Sequence, residues 1–483
     1  MVPAYEEQPR FDAVPPRAHW HYRPRRNLWR SKTLRASGVV VVLALCGLVI
    51  LSLVREQTGT EGFLVGLGLA VLPVPLLMTA FRWLDRVDPG PWRNLFFTFA
   101  WGACAAALVA IIANSFATRW IATATADPAG ADTIGATVIA PVVEESAKAA
   151  ALLLVFLFRR RHFTGIVDGV VFAGFTATGF AFTENILYLG SAFGEDKSMG
   201  FSGFSSVTAA TFFVRIVLAP FAHPLFTVLT GIGFGVAALS APHRRVRRAL
   251  VPLLGLGCAM GMHALWNSSS VFGEYGFFVV YGVFMVPAFG LITWLAIWTR
   301  QRELRTISAE LPAYAAAGWL APDEPLALSS MRARSMARGF AARAYTRSIA
   351  MPPFPVQGPP AQGFAPLGHG AQGFPAPRTA PHVAAWTAPC PARLPDAKAG
   401  AKAASRAVSE YEAFATTLAF LRHRARRGAV GPDFAAREQE LLHHLWQRKD
   451  VAGPALLHAA QATGRVPVPP PHLRYGGYNP YRQ

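Results

Sequence analysis

The sequence predicts an all-α, polytopic membrane protein of about eight transmembrane helices, on three observations. Residues 36–299 of the 483 are a series of apolar runs of about twenty residues, the length a helix needs to cross a hydrocarbon core. The loops joining those runs alternate between arginine-rich and nearly uncharged. Most of the Arg, Lys and Pro is confined to residues 1–35 and 300–483, so the 52% hydrophobic content and the formal charge of +19 describe two regions of opposite character.

The expected spans are 36–54, 62–81, 94–116, 134–158, 165–190, 207–239, 249–269 and 275–299. The sixth is longer than one crossing needs, so it starts as an interfacial turn or bends near Pro220 and Pro224, where the ring removes an amide donor. No small-residue cleavage site follows the first run, so an anchor is expected there and not a cleaved signal peptide. Arg23, Arg25, Arg26, Arg30, Lys32 and Arg35 precede span one, and Arg82, Arg86 and Arg93 follow span two. Arg159, Arg160 and Arg161 follow span four, Arg244, Arg245, Arg247 and Arg248 follow span six, and Arg300, Arg302 and Arg305 follow span eight. The alternate loops hold at most Arg55, Arg119 or Lys197. By the positive-inside rule both termini are then cytoplasmic, in a multi-pass plasma-membrane protein.

The remaining expectations concern the ends and the bulk charge. Residues 1–35 read as a basic cytoplasmic arm, 300–349 as a juxtamembrane segment of short Ala- and Arg-rich helices, and 350–404 as a Pro/Gly/Ala-rich linker. Over 405–460 amphipathic spacing returns as a small helical hairpin: Tyr411, Phe414, Leu418 and Leu421 share one face, and Leu441, Leu442, Leu445 and Trp446 another. Residues 461–483 read as a disordered tail. Cys46, Cys104 and Cys258 lie in spans and Cys390 in the tail, which argues against a disulfide framework. The positive charge is a topology signal that also attracts anionic lipid; no recognition motif accompanies it, so nucleic acid is not an expected partner.

Polar residues recur inside spans four to seven. Span four carries Glu144, Glu145 and Lys148 amid about twenty apolar and small residues, although one charge at a bilayer centre costs about 2.5–3.5 kcal/mol. Glu144 and Lys148 share a face at i,i+4, and Glu145 is rotated by about 100°. Span five carries Glu184 and Asn185, span six His223, and span seven His263 and Asn267, again at i,i+4. At 1.5 Å per residue Glu144 lies ~15 Å inside span four, and Glu184 and His263 each ~9 Å from the outer ends of theirs. All four helices can therefore bring these groups together in the outer half of the bilayer.

Such a set suits peptide hydrolysis, which needs an activated water, a polarised carbonyl and a proton donor for the leaving amine. Glu144 and Glu184 can share the water, while His263 and Asn267 can form an oxyanion site. A metal reading stays open: Glu144, Glu184, His223 and His263 suit zinc, yet no HExxH-type motif demands one and no cofactor is certain.

These residues resemble a known family. EESAK at 144–148, FAFTEN at 180–185, His223 and HALWN at 263–267 are similar to the PrsW group of intramembrane proteases, within the superfamily of CAAX prenyl endopeptidases. RWLDRVDPGPWRNLFFTFAWG at 82–102 resembles the segment that group carries ahead of its active-site helices, and the likeness covers roughly residues 80–270. The CAAX enzymes have EExxxR where this chain has EExxK, and histidine in place of Glu184; both departures are those of the PrsW group. The resemblance implies that Glu144 activates water, with Glu145, Glu184, His223 and His263 completing the site, Asn267 assisting, and Lys148 and Asn185 in support. It also implies a membrane-anchored protein substrate of the anti-sigma-factor class, cut on its extracytoplasmic side.

Other readings stand beside this one. A proton-coupled transporter uses buried Glu and His as a relay but predicts repeated halves, and EExxK occurs once. A catalytically inert scaffold of the same fold need not retain every acid. Individually, Glu144, Glu145 and Lys148 can form a packing ion-pair network, Arg215 can snorkel or pair with a carboxylate, Asp168 can start a helix, and Gly165, Gly169, Gly174 and Gly179 can admit close helix packing.

Overall fold

Gly59 sets the topology of the first apolar stretch. The chain is helical from Lys32 to Ala70 (α1), but Gly59 adopts φ 71° and ψ 168°, a backbone state closed to most side chains. Thr58 and Gly62, on either side of it, both meet Gly190, while Gly47 earlier lies against Cys104 and Phe81 later against Gly174. The stretch therefore climbs and descends beside one central helix.

The computed structural model describes residues 32–159, 162–241, 243–273, 275–350, 397–428 and 434–467. The expected basic arm up to residue 31, the Pro/Gly/Ala-rich linker from 351 to 396 and the tail from 468 lie outside them. After α1 come α2 (Pro73–Leu84), α3 (Trp92–Ala100), α4 (Ala107–Thr125), α5 (Pro128–Ile134), α6 (Ala140–Phe158) and α7 (Ile166–Met199). Then follow α8 (Val207–Phe212), α9 (Ala222–Leu239), α10 (Arg245–Asn267), α11 (Gly276–Val279) and α12 (Val286–Glu310). Six helices complete the described chain: α13 (Pro312–Ala316), α14 (Glu324–Leu328), α15 (Met331–Ala350), α16 (Ala397–Arg426), α17 (Phe434–Trp446) and α18 (Lys449–Ala462). Among the described residues there is no strand. Wide π turns join α3 to α4 (Trp101–Ala106), α5 to α6 (Gly135–Ile139), α8 to the break before α9 (Phe213–Leu218), and α11 to α12 (Val280–Met285). Such turns are frequent at functional sites.

By length and composition, six helical stretches of the described chain can cross a membrane: Ala36–Leu84, Trp92–Thr125, Ile166–Met199, Val207–Leu239, Arg245–Asn267 and Gly276–Ala316. The expectation of about eight differs at two places. Ala36–Leu84 holds two expected spans joined at Gly59, and α6 falls outside the composition criterion because it carries Glu144, Glu145 and Lys148. The sixth expected span does break at Ala219–Phe221, beside Pro220, with Pro224 in the first turn of α9, where a missing amide is tolerated.

The hub is α7, buried along nearly its whole length and touched by α1, α2, α3, α6, α8, α9 and α12. Small residues let backbones approach it. A Cβ at Gly102 would collide with the Thr176 carbonyl, and one at Gly179 with that of Phe99, so the π turn after α3 lies flush on α7. Gly165 precedes the helix with its carbonyl against Gly235 of α9, and Asp168 accepts from the Thr164 amide at 2.6 Å, the Thr164 hydroxyl at 2.7 Å and the Gly165 amide at 3.2 Å. Apolar side chains such as Val40, Leu48, Leu254, Leu291 and Trp294 face outward, as a lipid-covered surface requires.

The sequence reading has two helices over 405–460, whereas three are present, α16 starting at Ala397 and α18 carrying an internal Pro454. With α13–α15 and the end of α12 they bury one core containing Ile307, Leu311, Tyr411, Leu418 and Leu456. Val87, from the loop between α2 and α3, is fully buried in that same core. Arg334 fastens the loop: its guanidinium donates to the carbonyls of Val87 at 2.9 Å and Leu328 at 2.7 Å, and to Thr416 Oγ1 at 2.8 Å.

Candidate active site

The helix α6 is built from Ala, Val and Leu with Pro141 in its first turn, and that regularity places Glu144, Glu145 and Lys148 on adjoining faces. All three are buried, Glu145 and Lys148 completely. Lys148 Nζ lies 2.9 Å from Glu145 Oε1 and 3.4 Å from Glu144 Oε2, and 3.7 Å from the centre of the Phe180 ring on α7. It also lies 3.2 Å from Nδ1 of His223, the second residue of α9.

An ammonium can only donate, so the His223 Nδ1 lone pair accepts from Lys148. The ring proton is then on Nε2, which lies 2.5 Å from Glu184 Oε2. Glu184 is further held by Arg215 of the π turn before α9, whose Nη2 lies 2.7 Å from the same oxygen. Arg215 Nε donates to Asn185 Oδ1 at 2.9 Å, and its guanidinium stacks 3.8 Å from the centre of the Tyr188 ring, one turn after Glu184.

His263 of α10 is oriented in the same way by a different acid. Its Nδ1 lies 3.2 Å from Glu145 Oε1, a carboxylate that can only accept, and Glu145 Oε2 also receives the Thr227 hydroxyl at 2.8 Å. The ring then turns Nε2 toward Glu144 Oε2, 3.9 Å away. That distance is too long for a direct hydrogen bond, so the two atoms face a common point. The imidazoles of His223 and His263 cross edge to face, 5.3 Å apart, and Phe226 stacks on His263 at 4.8 Å. Glu144 is the least engaged carboxylate, with Asn114 Nδ2 of α4 at 3.5 Å beside its contact to Lys148.

Glu144, Glu145, Lys148, Glu184, His223 and His263 are thus brought together from four helices. Asn185 joins through Arg215. Asn267 lines the cleft beside His223 and stands outside the ion-pair cluster: its Nδ2 donates to the Ala136 carbonyl of the π turn before α6 at 2.8 Å and so braces α10 against that turn. Glu184 is occupied by Arg215 and His223. Sequence reading did not single out Asn114, Thr227 or Phe180. Thr227 is one turn after His223 and Phe180 one turn before Glu184, so helical spacing from the chosen residues finds both.

A cleft of about 410 Å³ opens beside the cluster, between the π turn before α9 and the α10–α11 corner, and His223 is the member of the cluster's acid–imidazole set in its wall. Among the described residues, Glu144, His223 and His263 form a group in which each offers one donor atom and all three atoms lie within 4.8 Å of one another.

Residues 90–292 match the family described as PrsW family intramembrane metalloprotease. Protease PrsW of Clostridioides difficile (strain 630) is 27% identical over 164 residues, 34% of this chain and 62% of that protein. The chain therefore spans somewhat under two thirds of the length of this curated relative. No solved structure matches. The matched segment contains every acid and imidazole of the buried cluster, and over that segment the chain is similar to the PrsW family.

Proposed function

We propose that the chain is an intramembrane endopeptidase and that Glu144 is its central catalytic residue. The observation that carries this reading is the convergence of Glu144, His223 and His263, with donor atoms within 4.8 Å, next to an open cleft. Such a site takes a membrane-anchored polypeptide, of the anti-sigma-factor class on the resemblance. The loop charges support cytoplasmic termini in the plasma membrane. The cluster then lies toward the outer side, since Glu184 is roughly 27 Å along α7 from Ile166 at 1.5 Å per residue.

Glu144 accepts a proton from the attacking water as the water oxygen bonds to the scissile carbonyl carbon, and returns it to the amine nitrogen as the C–N bond breaks. It is suited to this because neither imidazole nor arginine holds it at hydrogen-bond distance. Glu145 and Glu184 fix the tautomers of His263 and His223, and Lys148 offsets the charge of adjacent acids. Phe180 and Phe226 wall the cluster against bulk water.

The family description names a metal, and the residues fit one. Two imidazoles and one carboxylate are a donor set of catalytic zinc, each imidazole has one nitrogen beside a carboxylate, and among the described residues the three carboxylates pair with two fixed cations, Lys148 and Arg215. A divalent ion held by Glu144, His223 and His263 would supply a Lewis acid for the carbonyl and lower the pKa of bound water. A carboxylate has two acceptor oxygens, so Glu144 can serve an ion with one and a proton with the other.

The test is cleavage of a single-span reporter in liposomes by purified wild type and Glu144→Ala. Wild type is expected to cut and the variant to lose at least a hundredfold in rate. Equal cleavage by the two removes the assignment.

A further inference from the structure

Resting on the peptidase reading, we propose that the cleft beside His223 is a side-chain subsite that selects a bulky apolar residue next to the scissile bond. Its shape argues for this. Its lining combines the alanines 181, 210, 219 and 222 with the rings of Trp266 and Phe277, beside the small polar side chains of Thr211, Asn267 and Ser269. Four missing side chains among aromatic rings leave a slot of about 410 Å³, within the range that holds a small ligand. The aromatic wall is fixed, because the Trp266 and Phe277 rings pack at 5.4 Å, and the Tyr281 hydroxyl reaches across to donate to the Leu218 carbonyl at 2.9 Å.

The polar edge adds orientation. Arg215 and Asn185 border the slot while bonded to one another, and the Arg215 Nη2 is committed to Glu184. Those commitments leave the Arg215 side chain a rigid rim and not a free charge seeking an acidic residue. An extended peptide therefore places an apolar side chain in the slot while its backbone passes His223. Phe213 and Val217, exposed on the same π turn, and Phe278, exposed on α11, flank the mouth with lipid-facing surface. This is a route by which a membrane-embedded segment arrives without crossing water. Ala210 is exposed at the mouth, so enlarging it narrows the slot without disturbing a packed core.

Two readouts test the proposal. The first compares single-span reporters carrying Ala, Leu or Phe at the positions flanking the cut. Wild type is expected to prefer Phe or Leu, and Ala210→Leu to lower the Phe-to-Ala ratio of kcat/KM at least tenfold, since a single methylene in an apolar pocket is worth roughly 10–200-fold. Val40→Leu, on the outward face of α1, should leave that ratio unchanged. The second uses Ala210→Cys with the native cysteines and Glu144 replaced by alanine, and follows maleimide labelling with and without excess reporter. Protection is expected. Cleavage with an unaltered ratio and no protection overturns the subsite while sparing the peptidase reading. Protection without wild-type cleavage removes the peptidase reading and the subsite with it, and leaves a binding cleft only. Absence of both overturns both.

Discussion

Lys148 Nζ stands 3.2 Å from Nδ1 of His223, so α6 and α9 are joined by a buried cation resting on an imidazole lone pair. The same ammonium lies 2.9 Å from Glu145 and 3.4 Å from Glu144. One lone pair cannot serve both Lys148 and a metal ion. The lysine is therefore the internal counter-ion that keeps the acids tolerable when no ion is bound.

Replacing Lys148 by methionine is expected to destabilise the metal-free protein by about 3–5 kcal/mol, because it leaves buried carboxylates without their cation. Thermal unfolding in detergent, with chelator present, measures this. A melting temperature within a degree of wild type would mean that the ammonium does not carry that load.

Glu184→Gln is expected to weaken zinc binding by about 10–100-fold while leaving the stoichiometry at one ion, since Glu184 orients His223 from behind and is not itself a donor. Competition with a chromophoric chelator reports the affinity. His263→Ala should instead abolish the site. Equal and complete loss in both variants would make Glu184 a direct ligand.

Burial pushes the Glu412 carboxyl up to about 7, although Arg338 and Arg334 lie beside it. The folded chain then keeps a proton that the unfolded chain releases above its ordinary value of 4.5. Stability of α15 and α16 therefore falls as pH rises from about 4.5 to about 7, by up to about 3 kcal/mol. Amide exchange in those helices across that range should speed up in wild type and show a shallower slope in Glu412→Gln. Identical slopes would count against it.

Arg334→Ala leaves three acceptors without a donor and should cost about 3 kcal/mol locally. Arg334→Lys should not restore it, because one ammonium cannot reach three divergent acceptors. Amide exchange in the loop around Val87 and in α14 reads the effect. Protection equal to wild type in both variants would show that the loop is held by Val87 packing alone.

Much of the buried cluster was legible before any coordinates. Charges within an apolar run have few explanations, so Glu144, Glu145, Lys148 and Glu184 announced themselves by cost alone. The helix-start role of Asp168 was legible from its position three residues after Gly165. The π turns were not, because one extra residue per turn leaves no compositional trace. Nor was the reversal at Gly59, since a glycine inside an apolar helix is ordinary in membranes.

The sequence by itself determined that the chain is a helical membrane protein with acids and imidazoles on four successive spans, because hydropathy, loop charge and helical period are local properties. Only the tertiary structure decided which acid serves which imidazole. Glu144, Glu145 and Glu184 are chemically alike, and what separates them is the partner within about 3 Å: Lys148 and His263 for Glu145, Arg215 and His223 for Glu184, and for Glu144 no such partner. Those partners come from elements up to 118 residues apart, a separation that no local pattern encodes.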